Sequence, residues 1–270
     1  METWLIALLS VIGALLLLFI VLPVMIGIIY RARSRRCPKD VMVTGKTVIV
    51  TGPTAGIGRV TAHEMAKRGA RVILACRNTR KAEPIAEQIK KETNNDDVVI
   101  RHLDLSDLTS VRKFAEEINC QEEAVHILIN NAGILSPDKK KLSPQGFEIT
   151  LATNHLGPFL LTNLLLDKIK ASAPSRIVNV SSLGYAANVL YLDDLNLEKT
   201  AYGVYRAYCQ SKLCNILFTK ELAVRLQGTG VTTNCLHPGY VYTDIFDRGE
   251  GPAAGLNFRN LSPRVMGRVS

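Results

Sequence analysis

From residue 46 to residue 235, short β-branched apolar runs alternate with longer helical patterns, and this alternation excludes most folds. Residues 46–50, 71–76, 98–103, 127–129, 176–180 and 231–235 read as strands. They are too continuously apolar to have one wet face, so helices must cover both sides of the sheet. Helical patterns over 56–68, 81–92, 108–118, 147–169 and 205–226 separate them. Strand, helix, strand in strict succession demands a parallel sheet, because a parallel pair needs a long crossover. With no internal repeat and no Pro/Gly/Ser-rich linker, residues 45–247 are expected to form one doubly wound α/β domain with helices on both faces.

What precedes that domain is of another kind. Residues 1–30 hold 24 of the apolar set, and no charged residue occurs from Thr3 to Tyr30. A bilayer core needs about 20 apolar residues as helix, and this run is longer. A cleaved signal has a basic start, a shorter apolar stretch and a small-residue cleavage site; here only Glu2 precedes the run and large aliphatics continue to Ile29. Residues 1–30 are therefore expected to be one retained transmembrane helix rather than a signal or a buried core helix. Pro23 and Gly27 are tolerable kink points in such a span. Arg31, Arg33, Arg35, Arg36 and Lys39 follow in the linker 31–44, and basic flanks stay cytoplasmic. The expectation is a single-pass membrane protein, its domain facing the cytosol, with contact to anionic headgroups as a second use of those arginines.

Composition outside the anchor is ordinary: the other 240 residues are about 43% apolar. The formal charge of +9 does not point to nucleic acid, because basic residues are interspersed with acidic ones. Cys37, Cys76, Cys120, Cys209, Cys214 and Cys235 form no C-x-x-C pair, and no His cluster has metal spacing, so no metal is expected. Cys76 and Cys235 end apolar runs and read as small core residues.

Between the first strand and the first helix stands Thr51-Gly52-Pro53-Thr54-Ala55-Gly56-Ile57-Gly58. Glycine there permits a tight turn and lets backbone approach a pyrophosphate at the helix N-terminus. Its spacing is G-x-x-x-G-x-G; Pro53 removes one N–H but leaves the glycines intact. The whole is therefore expected to be a Rossmann-type domain. An unliganded strand-to-helix turn would show the same glycines, so the neighbouring motifs decide. They are Asn130-Asn131-Ala132-Gly133 after the fourth strand, and Tyr208-Cys209-Gln210-Ser211-Lys212 on a late helix.

Taken together, these motifs make the stretch from about Gly45 to Asp247 resemble the short-chain dehydrogenase/reductase family. Leu103-Asp104-Leu105-Ser106-Asp107, Asn154-His155-Leu156-Gly157 and Ala207-Tyr208-Cys209-Gln210-Ser211-Lys212-Leu213 are similar to its membrane-anchored retinol dehydrogenases. The resemblance implies a nicotinamide site made by Gly52, Thr54, Gly56, Ile57, Gly58, Arg77, Asp104, Asn131, Ala132, Gly133, Tyr208, Lys212, Pro238, Gly239 and Thr243. Within it Asp104 would touch the adenine edge, Asn131 would hold the strand beside the adenosine ribose, and Thr243 would contact the nicotinamide side. It also implies the endoplasmic reticulum as the membrane, and a homodimer is a further expectation.

Charge argues for the phosphorylated cofactor. An acidic residue ending the second strand would bind a ribose 2′-hydroxyl and repel a 2′-phosphate. That strand ends Leu74-Ala75-Cys76-Arg77 with no carboxylate, and Arg59 adds a second cation. Arginine pairs well with phosphate, so NADP(H) is expected, although a solvated helix-start cation would also explain Arg77.

Hydride addition to a carbonyl leaves an oxyanion that must be protonated. Tyrosine ionises near 10 and does this poorly unless a neighbouring cation stabilises its phenolate. Tyr208 and Lys212 lie four residues apart on one helix face, so Lys212, in a sheltered site and with the charge of the oxidised nicotinamide added, is expected to lower the phenol's pKa and make Tyr208 the general acid or base. Tyr202 and Tyr205 have no lysine four residues on. By resemblance Ser182, rather than Ser181, hydrogen-bonds the substrate oxygen, and Asn154 holds a water that links Lys212 to solvent. His155 and His237 match no catalytic position and are expected to be structural. The leading expectation is an oxidoreductase of a hydrophobic carbonyl or alcohol, retinal or a similar lipid. Two others compete: a truncated protein that binds nucleotide or a partner without turnover, and a nucleotide-sugar epimerase relative, which the glycine spacing disfavours. The first of these arises because residues 248–270, rich in Gly and irregular, do not resemble the capping helices and seventh strand that end the family's fold.

Overall fold

The computed structural model of the protein describes residues 2–33, 38, 40–136, 139–187, 190–239 and 241. Helix α1 (Glu2–Arg33) is followed by β1 (Thr47–Thr51), α2 (Gly56–Lys67), β2 (Arg71–Cys76), α3 (Thr79–Thr93), β3 (Val98–His102), α4 (Leu108–Gln121) and β4 (Ile127–Asn130). A short α5 (Ile149–Leu151) runs through a π-helical turn (Ala152–Leu156) into α6 (Gly157–Ala171). Then come β5 (Ser175–Val180), two 3₁₀ turns, α7 (Val204–Arg225) and β6 (Val231–Leu236).

All six strands are parallel, in the order β3-β2-β1-β4-β5-β6. Side-chain alternation sends Val48 and Val50 of β1 to one face and Ile49 to the other. On the first face Val72 and Leu74 join Ala62 and Ala66 of α2 and Ile85 and Ile89 of α3. On the second, Ile73, Leu128 and Ile177 meet Phe114 and Ile118 of α4, Leu161 and Leu165 of α6, and Leu222 of α7. Both faces are thus covered, as the continuous apolar strands require. Burying one such aliphatic side chain contributes roughly 1.5–3 kcal/mol.

Helices α3, α4 and α5 begin with side-chain caps: Asn78 accepts from Lys81 N, Asp107 from Thr109 N, and Glu148 from Thr150 N and Leu151 N. Helix α2 does not. Its cap residue is Ala55, and no acidic residue stands in its first turn. Helices α6 and α7 also begin without a side-chain cap, and α2 differs from them in opening at the glycine turn.

Strand positions match the sequence reading to within a residue or so. The helix expected over 147–169 differs: it begins at Ile149 and is broken by the π turn. Pro158 explains the break. It has no N–H for the carbonyl of Asn154 four residues before it, and its ring would crowd that carbonyl. Helix α1 contains a 27-residue apolar span, Thr3–Ile29, that is not buried against any other element among the described residues. A core helix would be buried, so that reading fails. The expectations that concern residues 248–270 lie outside the described residues.

Candidate active site

Parallel strands put all their carboxyl ends on one edge, and the order reverses between β1 and β4, where an open α/β sheet presents its crevice. Here the Thr51 hydroxyl joins the two strands. It donates to Ile129 O (3.3 Å) and accepts from Asn131 N and Ala132 N, both at 3.0 Å. Asn131 reaches back, its Nδ2 donating to Thr51 O (2.9 Å) and Gly52 O (3.3 Å). This is the strand-holding position expected of Asn131. Thr51 was not singled out in the sequence; a lone hydroxyl ending a strand of Val and Ile was the available signal.

The glycines form a cradle that a side chain would fill. Gly52 has φ +67°, and a Cβ there would lie 2.9 Å from Ala132 Cα. A Cβ on Gly58 would collide with Gly52 O and Asn131 Nδ2. Gly56 opens α2 with φ +52°, flanked by half-buried Thr54 and Ile57. Arg77, just past β2, is exposed and has no hydrogen bond or ion pair among the described residues. Arg59 is also exposed, but its guanidinium donates to Gln88 Oε1. Asp104 accepts from Ser106 N (2.9 Å) and Ser106 Oγ (2.6 Å), and Pro238 and Gly239 follow β6 on the same edge. Thr243 lies outside the described residues.

Ser182, Tyr208 and Lys212 come together at the end of β5. Ser182 Oγ accepts from Gly184 N (3.2 Å), and it shares that glycine with the phenol ring: a Cβ on Gly184 would lie 3.6 Å from Ser182 Oγ and 3.7 Å from Tyr208 Cε1. Ser181, by contrast, is buried and spends its hydroxyl on Lys212 O (2.8 Å). Lys212 is 3% exposed, its Nζ 2.9 Å from Val180 O and 5.6 Å from the Tyr208 ring centroid. A Cβ on Gly133 would lie 3.3 Å from Lys212 Nζ and 3.5 Å from Asn154 Oδ1, so lysine and asparagine converge on that glycine. Asn154 is buried. Its Oδ1 accepts from Ile134 N (2.8 Å), and its Nδ2 donates to Ile134 O (3.0 Å) and Ser211 Oγ (3.1 Å).

Burial pushes the Tyr208 phenol above its ordinary value of 10, with the Ser182 hydrogen bond pulling the other way. The Lys212 ammonium sits over the ring face and donates to Val180 O. The same burial lowers Lys212 itself to about 8. In this form Tyr208 is a protonated phenol, equipped to donate.

His155 and His237 both stay out of the centre. Burial holds His155 below the usual imidazole range, and its Nδ1 lies 2.9 Å from Asn215 Oδ1. Exposed His237 accepts from Gly239 N (3.3 Å).

A parallel sheet of this order, with a glycine turn at its switch point, defines a dinucleotide-binding α/β architecture. The chain belongs to the short chain dehydrogenase family, whose model matches residues 46–250. It is 51% identical over 233 residues to retinol dehydrogenase 13 of Homo sapiens, covering 86% of this chain and 69% of that protein. With retinol dehydrogenase 11 of Homo sapiens it shares 51% over 209 residues, 77% of this chain and 65% of the relative. An uncharacterised protein from Mycobacterium paratuberculosis superposes with a TM-score of 0.66 at 42% identity, over 76% of this chain and 73% of that one. The RhlG/NADP complex of Pseudomonas aeruginosa shares the fold, with a TM-score of 0.62 at 24% identity over 76% and 77%. The chain spans about two thirds of the length of the retinol dehydrogenases it matches.

Proposed function

We propose that this protein is a membrane-anchored, NADP(H)-dependent oxidoreductase that interconverts a hydrophobic carbonyl and its alcohol, with retinal and retinol as the leading pair. The observation that carries the reading is the convergence of Ser182, Tyr208 and Lys212 beside Gly133 at the carboxyl edge of the sheet. The names of its retinol dehydrogenase relatives support the substrate class.

The residues fit a dinucleotide. A helix N-terminus with no side-chain cap and no acidic residue in its first turn suits a pyrophosphate, and Gly52 and Gly58 keep backbone accessible where a side chain would collide. Unpaired Arg77, where an NAD-binding fold would place an acid, favours a 2′-phosphate. When bound, the nicotinamide supplies or accepts the two-electron equivalent.

Ser182 and the Tyr208 hydroxyl offer two donors to the substrate oxygen, which steadies the charge that develops on it. In reduction Tyr208 gives its proton to that oxygen; in oxidation its phenolate takes one. The Lys212 cation favours the phenolate at that moment. Asn154 sits on the lysine side of the site, placed to keep a proton route open there. Helix α1, apolar and unburied among the described residues, would hold the domain at the surface in which a lipid-soluble substrate is dissolved. Arg31, Arg33, Arg35, Arg36 and Lys39 would keep it on the cytosolic side, the endoplasmic reticulum being the proposed membrane.

The full chain in detergent micelles, titrated into NADPH, should quench and shift its fluorescence and then oxidise it when all-trans-retinal is added. NADH should bind at least about tenfold more weakly, the loss expected for one charged hydrogen bond. Nucleotide binding with no turnover on any aldehyde or ketone would instead mark a binding protein.

A further inference from the structure

The π turn is held from outside by a residue that the catalytic assignment does not use. Pro158 leaves the Asn154 carbonyl without its normal helical donor. That carbonyl accepts from Asn215 Nδ2 (3.0 Å, both groups buried) on α7. Because the amide NH₂ is engaged there, the Asn215 oxygen faces His155 Nδ1 at 2.9 Å, and the imidazole must carry its proton on Nδ1 to donate. His155 is fixed in turn against Phe159 and Phe218, with ring centroids 5.9 and 6.2 Å away. One helical turn past Asn215, the Thr219 hydroxyl donates to Asn215 O (2.6 Å).

We infer that Asn215 is a positioning residue for the reaction: its side-chain amide replaces the N–H that Pro158 lacks, holds the π turn open, and so aims the Asn154 side chain at Ile134 and Ser211 beside Lys212. The inference rests on the oxidoreductase reading above. The π turn is closed by Gly157 N donating to Ala152 O, and Asn215 supplies the donor that Pro158 withholds from the Asn154 carbonyl. In a regular α-helix the residues from 152 to 156 would be turned about the axis, and its Oδ1 would leave the Ile134 N–H. The neutral His155 completes the clamp by satisfying the oxygen that would otherwise be buried without a donor. Its lowered pKa keeps it neutral at physiological pH.

The test is Asn215→Leu in the full chain, made alone and together with Asn154→Ala. A misplaced catalytic group costs about 10- to 100-fold, so Asn215→Leu should lower kcat by that factor while the NADPH Kd stays within about twofold. Acting through Asn154, it should add no further loss in the Asn154→Ala background. Multiplying losses, or an unchanged kcat, would overturn the inference. Hydrogen exchange at the Ile134 amide supplies a readout that needs no turnover: protection should fall in Asn215→Leu, and full retention would overturn the clamp. If the wild-type chain turns over no carbonyl, the oxidoreductase reading fails while this exchange result still decides the clamp. Should Asn215→Leu not fold, His155→Phe removes the other end of the clamp and should reduce the same protection to a smaller extent; unchanged protection there would equally refute it.

Discussion

Replacing Lys212 with methionine should make the protein more stable and inactive. The ammonium is 3% exposed, and burial lowers its pKa from 10.5 to about 8. At 1.36 kcal/mol per tenfold change, keeping it charged in the fold costs about 3 kcal/mol at neutral pH. Methionine has similar length and no charge, but forfeits the charged hydrogen bond to Val180 O, worth about 1.5–3 kcal/mol. The net gain is about 1 kcal/mol, or roughly 2–4 °C for a domain near 200 residues. The gain should depend on pH. Between about 8 and 10.5 the unfolded chain binds more protons at this lysine than the folded one, so wild-type stability rises with pH through that window. Below pH 8 the cost is fully present. Urea unfolding of the full chain in micelles, followed by far-ultraviolet circular dichroism, should show Lys212→Met ahead at pH 7 and level or behind at pH 10. A variant less stable at pH 7, or a difference that ignores pH, would refute the reasoning.

Two shorter predictions concern the nucleotide and the proton. Arg77→Glu should raise the NADPH Kd about 10- to 100-fold, the loss of one charged hydrogen bond, while NADH affinity changes little; equal losses for both coenzymes would remove Arg77 from the 2′-phosphate. Carbonyl reduction needs a protonated phenol and a charged lysine beside it. Burial keeps Tyr208 protonated past 10, so Lys212 titrates first, and kcat for reduction should fall as pH rises through about 8; a profile flat to pH 9.5 would contradict this.

The sheet was legible because its strands are buried on both faces, and continuous Val, Ile and Leu runs admit few alternatives. The glycine turn was legible for the same reason in reverse: Gly52 and Gly58 stand where a Cβ would strike backbone. Helical spacing put Tyr208 and Lys212 on one face, and the glycine turn and Asn130-Asn131-Ala132-Gly133 upstream made that pair a candidate site. Contacts between residues far apart in the chain were not legible. The π turn requires Asn215, 61 residues beyond Asn154, and local periodicity around 147–169 reads as one unbroken helix. Thr51 was missed likewise, because its partners Asn131 and Ala132 lie 80 and 81 residues on. Burial of Tyr208 and Lys212, which pushes the phenol up and the lysine down in the protein without its coenzyme, was not legible either, because it is set by residues distant in the chain.

Single-turnover oxidation of bound NADPH by all-trans-retinal, compared between the wild-type chain and Tyr208→Phe, measures the central claim most directly. Phenylalanine keeps the ring under Lys212 and removes only the proton donor, so the rate should drop at least about 100-fold, the usual weight of a general acid, with NADPH bound as tightly as before. A Tyr208→Phe rate within a few-fold of wild type would mean that the substrate oxygen receives its proton from some other group.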